Sequence, residues 1–143
     1  MKKRMKLVLI ILSCVLSIAL VSIYSVPKLR AVLFVKIYHE LIEQNLRESN
    51  GTCVPAGEAV LLGYKYVNNW ENSHPMTEFI IMTYGDTYYG CYYSSDDVPV
   101  AFQNTDVPLS QEGKNSWKWI SEGDNRGFTS KIMERWYYFK ASL

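Results

Sequence analysis

Residues 77–93 read "TEFIIMTYGDTYYGCYY". Two runs rich in β-branched and aromatic residues flank Gly85-Asp86, and a two-residue link with glycine first fits the type II′ turn that closes a β-hairpin. The segments around it follow the same pattern. "EAVLLGYKYV" (58–67) puts Val60, Leu62, Tyr64 and Tyr66 on one side at period two. "VPVAF" (98–102) and "SWKWI" (116–120) read as further strands. At the end of the chain, Lys131 to Arg135 has room for one helical turn and Trp136 to Ala141 reads as a strand. Seventeen of the 20 aromatic residues fall between Tyr64 and Phe139, a density that suits a small antiparallel sheet. Residues 103–115 form the longest polar loop. The body is therefore expected to be a meander of about five strands.

Upstream of the strands the period changes to that of a helix. In "LRAVLFVKIYHELIEQNLRE" (29–48), Leu29, Leu33, Ile37 and Leu41, with Val32, Ile42 and Leu46 one register over, fall on one broad face. Pro27 suits a first helical turn and Asn50-Gly51 supplies a stop. This helix would pack its apolar face on the sheet, giving an α+β fold. The chain divides into a basic N-terminus (1–6), an apolar segment (7–26), a juxtamembrane helix (27–50) and a β domain (51–143).

Leu7 to Val26, "LVLIILSCVLSIALVSIYSV", holds 20 residues without a charge, which as a helix spans roughly 30 Å, about one hydrocarbon core. A cleaved secretory signal is the alternative, with Ser17-Ile18-Ala19 as its cleavage site. Its apolar region is usually only about 7–15 residues, however, and here the run continues to Val26. We read an uncleaved anchor that contacts membrane lipid. Cys14 closes "ILSC", but a lipidated cysteine would be followed by polar residues; Val15, Leu16, Ile18 and Leu20 follow instead. Lys2, Lys3, Arg4 and Lys6 precede the span, against Lys28, Arg30 and Lys36 after it, so the balance tips toward a cytoplasmic N-terminus. The body would then lie outside, in the periplasm of a bacterium.

The net charge of +1 hides an asymmetry. From Ala31 onward nine basic residues face 14 acids, leaving the body at about −5. Residues 66–113 hold seven acids and no Lys or Arg. Phosphate backbones would repel such a body, which argues against nucleic-acid binding. Acids beside aromatic rings suit recognition of a protein instead, a basic one above all. Asp86, Asp96 and Asp97, with Tyr88 and Tyr92, are the expected partner-binding residues.

Catalytic and metal signatures do not emerge. "GDNRGFTS" (123–130) begins as a box of the bacterial type I signal peptidases begins. Those enzymes require a serine activated by an unprotonated lysine, carried in a Ser-Met segment and a Lys-Arg pair. This chain has no Ser-Met pair, and its one Lys-Arg is Lys3-Arg4. The stretch reads as a turn. Ser130 and Lys131 are neighbours that point to opposite faces of a strand. Asp96-Asp97 could serve acid–base chemistry or simply solvate a turn before Pro99. His39 and His74 lack companions at ligand spacing, and no cofactor motif is present. Cys53 and Cys91, in an exported body, would oxidise to a disulfide.

An N-terminal anchor, a short helix and a small aromatic sheet outside the membrane resemble, in plan, the immunity proteins that bacteria tether to the inner membrane against bacteriocins and contact-delivered toxins. "TYYGCYY" (87–93) is similar to a tyrosine-rich Tyr-Gly segment in that group. The resemblance implies a four-stranded sheet with one disulfide, acting by occlusion of a toxin rather than by catalysis. The competing expectation is a structural or regulatory subunit of a cell-envelope complex, with the anchor and helix 29–48 as assembly elements.

Overall fold

Pro27 divides the N-terminal helices. In the computed structural model, which describes residues 2–49, 63–71 and 73–143, α1 runs Lys2–Ser25 and α2 runs Pro27–Glu48. Val26 between them is extended (φ −103°, ψ 101°), and proline opens α2, where its missing N–H forfeits no helical bond. Within α1, Met5–Ile23 is 19 residues, long and apolar enough to cross a membrane, and its apolar window is unburied. The helix stands clear of the domain except near Ile23, which packs partly against the core.

Seven strands form one antiparallel sheet: β1 (Tyr66–Trp70), β2 (Met76–Tyr84), β3 (Thr87–Ser94), β4 (Ser110–Gly113), β5 (Ser116–Ile120), β6 (Arg126–Met133) and β7 (Trp136–Ser142). Their order is β1-β2-β3-β7-β6-β5-β4. The chain thus builds two meanders, β1 to β3 and β4 to β7, joined where β3 pairs β7 from Thr87↔Ser142 to Tyr93↔Trp136. The 77–93 hairpin forms as expected, with Gly85 at φ 52° in its turn. A bulge between Ile80 and Met82 follows, and it turns both Ile81 and Met82 toward α2.

The sequence expectations differ from this sheet in four places. Residues 126–130, read with the turn at Gly123, open β6 instead. Residues 98–102 form no strand; they belong to the crossover from β3 to β4, and the Val100 N–H donates to the Tyr92 hydroxyl (2.9 Å) instead of to a neighbouring strand. The segment read as a helical turn, 131–135, is the end of β6 plus a tight turn, with Arg135 at φ 62°. β4 is short and exposed, so no apolar alternation announces it. The first part of 58–67, together with Asn50, Gly51 and Cys53, lies outside the described residues; β1 begins at Tyr66.

Both faces of the sheet carry a cover, that of α2 lying over β2, β3 and β7. On one, α2 buries Ala31, Phe34, Val35, Ile42 and Leu46 against Phe79, Ile81, Cys91, Trp136 and Tyr138. The stripe through Leu29, Ile37 and Leu41 is exposed, and only Leu33 of that row packs partly on the core. Phe34 and Ala31 decide the choice: the large ring packs tilted against Phe79 (5.4 Å between centroids) and edge-on to Tyr64 (6.0 Å), while alanine lets the helix backbone approach. On the other face the crossover lays Val100, Ala101 and Phe102 over Met76, Ile80, Tyr92, Tyr137 and Phe139.

Two glycines permit close ring contacts on the crossover face. A Cβ at Gly90 would lie 2.0 Å from the Phe79 carbonyl oxygen and 2.8 Å from the Phe139 ring. At Gly127 it would lie 2.2 Å from the Trp119 ring. The second glycine of "GDNRG" therefore makes room for a cross-strand tryptophan, since Trp119 pairs Gly127.

Candidate functional site

The acids of "SSDD" sit where β3 ends and the crossover begins, and both are engaged by the protein itself. Asp97 holds a left-handed backbone (φ 58°), which aspartate tolerates better than most residues. Its carboxylate accepts from Lys131 Nζ (2.5 Å), the Arg135 N–H (2.7 Å) and the Tyr137 hydroxyl (3.0 Å). The same Tyr137 proton is shared with the Asp97 carbonyl oxygen, 2.7 Å from the hydroxyl. Partial burial works to raise the Asp97 carboxyl, but the bonds from Lys131, Arg135 and Tyr137 outweigh it and hold the group below its ordinary value. The same balance holds Asp96 low: burial opposes, and His74 and Ser94 prevail. His74 Nδ1 lies 2.6 Å from Asp96 Oδ2, and the Ser94 hydroxyl donates to Oδ1 at 2.9 Å.

Asp96 and Asp97 thus act as clasps that fix the crossover to the β1–β2 loop and to the β6–β7 hairpin. About a third of each side chain stays exposed (39% and 32%). Asp86 lies in the β2–β3 turn, at the opposite end of β3, roughly 30 Å away by strand length. The three acids do not share one face. Tyr88 is half-buried against Phe102 (5.2 Å between centroids). Tyr92 is fully buried, stacked on Tyr137 at 5.1 Å and bonded to Thr129 Oγ1 at 2.9 Å. Tyr92 therefore serves the core and is removed from any partner surface.

One acid of the 66–113 run is inside the protein. Glu78 is fully buried in β2, under the crossover. It accepts from Asn68 Nδ2 (3.2 Å) and from the Gln103 N–H (3.1 Å). Gln103 and Asn104 both carry positive φ (55° and 51°), and this strained turn aims the Gln103 N–H at the carboxylate. Burial raises the Glu78 carboxyl, and the bonds from Gln103 and Asn68 offset only part of that. Trp70 adds a weaker polar influence, though its indole Nε1 has no partner in hydrogen-bonding geometry. The only sequence signal for Glu78 was a carboxylate inside the apolar run "MTEFIIM".

Beside these residues, Val98, Gln103, Asn104, Asp106, Leu109 and His74 line an open concavity of about 580 Å³. Among the described residues no group of three His, Cys, Asp or Glu could hold a metal ion. Ser130 and Lys131 diverge as expected, with Lys131 bound to Asp97. Cys91 is a free thiol, fully buried beneath α2; burial first and the Glu78 charge second raise it well above its ordinary value.

The arrangement defines an α+β domain, covered on both sheet faces, that joins without a spacer to a helix able to cross a membrane. Comparison with protein-family models, with characterised proteins and with solved structures found no match.

Proposed function

We propose that this chain is a single-pass protein of the bacterial inner membrane whose C-terminal domain lies in the periplasm and works by binding another protein. Most concretely, it acts as an immunity protein that blocks a bacteriocin or contact-delivered toxin by occlusion. The observation that supports this best is the joint between helix and domain. Ile23, the last residue of the candidate span, packs on the same core as α2 and the sheet. A domain held this close to the bilayer meets what arrives at the membrane, which is where a tethered immunity protein acts. The partly exposed Asp96 and Asp97 supply charge for a basic partner, with Asp86 and Tyr88 at the other end of β3. An exported body would carry Cys53 and Cys91 as a disulfide; because Cys91 stands as a buried free thiol in the structure, non-reducing mass spectrometry of the peptides decides the pairing.

A second reading, a structural or regulatory subunit of an envelope complex, draws on the exposed stripe of α2, where Leu29 (39%), Ile37 (59%) and Leu41 (39%) face outward. In-cell crosslinking followed by capture of the full-length chain separates the two. A single incoming protein whose affinity falls with salt and with Asp96→Lys supports occlusion. Resident envelope subunits crosslinked through positions 37 and 41 support the second reading and overturn the first.

A further inference from the structure

The α2 side of the sheet is covered only in part. α2 lies over β2, β3 and β7, and β5 and β6 extend beyond it. Trp117 and Trp119 belong to the opposite face, so strand alternation sends Lys118 and Ile120 to this one. Register places Lys118 beside Phe128, and Phe128 beside Lys140; one step further, Ile120 lies beside Arg126. These residues line an open concavity of about 380 Å³. Three cations border it, and Ile120, 75% exposed, stands at its rim. Glu112 binds Lys118 from the outer strand, and Glu122 and Asp124 occupy the adjoining turn, yet no carboxylate lines the concavity.

Its position is fixed by the anchor. Lys28 is five residues beyond the end of the candidate span, in the first turn of α2 and just past the extended Val26. Its ammonium lies 5.9 Å from the centre of the Phe128 ring and 5.6 Å from that of Tyr138. Phe128 is itself part of the concavity. Because α1 projects clear of the domain, the end of the sheet that carries Phe128 is the end facing the bilayer. A headgroup layer extends about 5–8 Å beyond the hydrocarbon, so Lys28, and with it the Phe128 edge of the concavity, lies next to that layer.

We propose that this basic concavity binds the headgroup phosphate of an anionic phospholipid in the bilayer that holds α1. Lys118, Arg126 and Lys140 meet the phosphate, and Ile120 enters the interface beside it. The proposal rests on the reading of α1 as an uncleaved anchor. It gives the domain a second attachment to the membrane and fixes which side of the domain faces outward.

Full-length protein in nonionic detergent, titrated with phosphatidylglycerol or phosphatidylcholine and read by native mass spectrometry, tests it. The variant Lys118→Gln/Arg126→Gln/Lys140→Gln changes only exposed side chains. The wild type should retain phosphatidylglycerol at least about tenfold more tightly than the variant, with no difference for phosphatidylcholine. Equal retention by the two proteins overturns the proposal. Millimolar inorganic phosphate should leave lipid retention unchanged; displacement by phosphate overturns the bilayer assignment. A second measurement does not depend on the variant folding. A photo-crosslinking phenylalanine analogue at position 120 should form lipid adducts in phosphatidylglycerol vesicles, and the same group at position 103 should not. No adduct at 120 in a chain that resists carbonate extraction overturns the lipid site and leaves the anchor standing. A chain that washes off overturns both.

Discussion

The two covers of the sheet are built by different physics. On one face α2 lays down a regular row of apolar side chains, and Phe34, Val35, Phe79 and Cys91 are all at 0% exposure. On the other, an irregular crossover brings only Val100, Ala101 and Phe102 into the buried core cluster and is tied down by named polar contacts. Tyr92 holds Val100, Tyr137 holds Asp97, Asp97 holds Lys131 and the Arg135 N–H, and Glu78 holds the Gln103 N–H. Apolar burial is non-directional and tolerates small shifts. A loop without its own backbone ladder needs each buried N–H and C=O answered individually. The helix face should therefore respond to lost volume, and the crossover face to lost hydrogen bonds.

The largest expected effect is on the helix face. Phe34→Ala removes a ring in contact with Phe79, Tyr64 and Tyr38 and should lower stability by about 3–5 kcal/mol, measured by denaturant unfolding. A loss below about 1 kcal/mol would show that α2 is not part of the cooperative core. Next comes Asp97→Ala, which deletes three accepted bonds and leaves alanine at φ 58°. A loss of about 2–3 kcal/mol is expected, with faster amide exchange confined to residues 95–104. Uniformly faster exchange through β2 and β3 would erase the distinction between the covers.

Tyr92→Phe is milder. It keeps the stacked ring and leaves the Val100 N–H without its acceptor, which should cost about 1–2 kcal/mol. The smallest effect is a matter of pH. Glu78 is raised in the folded state, so the folded protein binds a proton more readily than the unfolded chain does. Stability from this group therefore increases as pH falls through the folded value toward about 4.5 and is flat below. Asp96 and Asp97 act in the opposite sense. Both are lowered, and their contribution is present above about 4 and lost as pH falls through their folded values. Glu78→Gln should raise the melting temperature at pH 8 by a few degrees, roughly 1 kcal/mol, with the difference shrinking by pH 5. A difference that does not change with pH would mean that Glu78 is not the titrating group.

The contrast between the covers also marks what could be read in the sequence. The hairpin at 77–93, both helices and the turn at Gly123-Asp124 follow from local signals: periodicity, a glycine in a two-residue link, a proline at a helix start. The crossover has no such signal, because its order comes from residues distant in the chain. Asp97 meets Lys131, 34 positions on, and Glu78 meets Gln103, 25 positions on. The aspartates could be singled out by type, but not their partners, so their role as clasps within the fold was not legible. Tyr92 was misplaced for the same reason: strand alternation shows that neighbouring tyrosines face opposite ways, and only the crossover shows that both ways are covered. The choice of buried face on α2 needed the sheet beneath it, since apolar residues occupy half of that helix.

The most direct test concerns the joint between anchor and domain. Alkaline phosphatase and green fluorescent protein are fused in turn after Leu143, and, separately, the unfused membrane-bound chain is weighed by intact mass spectrometry after carbonate washing. The account predicts an active phosphatase, a dark fluorescent protein, and a membrane-retained chain at its full 16.5 kDa. A fluorescent fusion, or a soluble chain shortened by its first 20 or so residues (a signal-length segment), would contradict it.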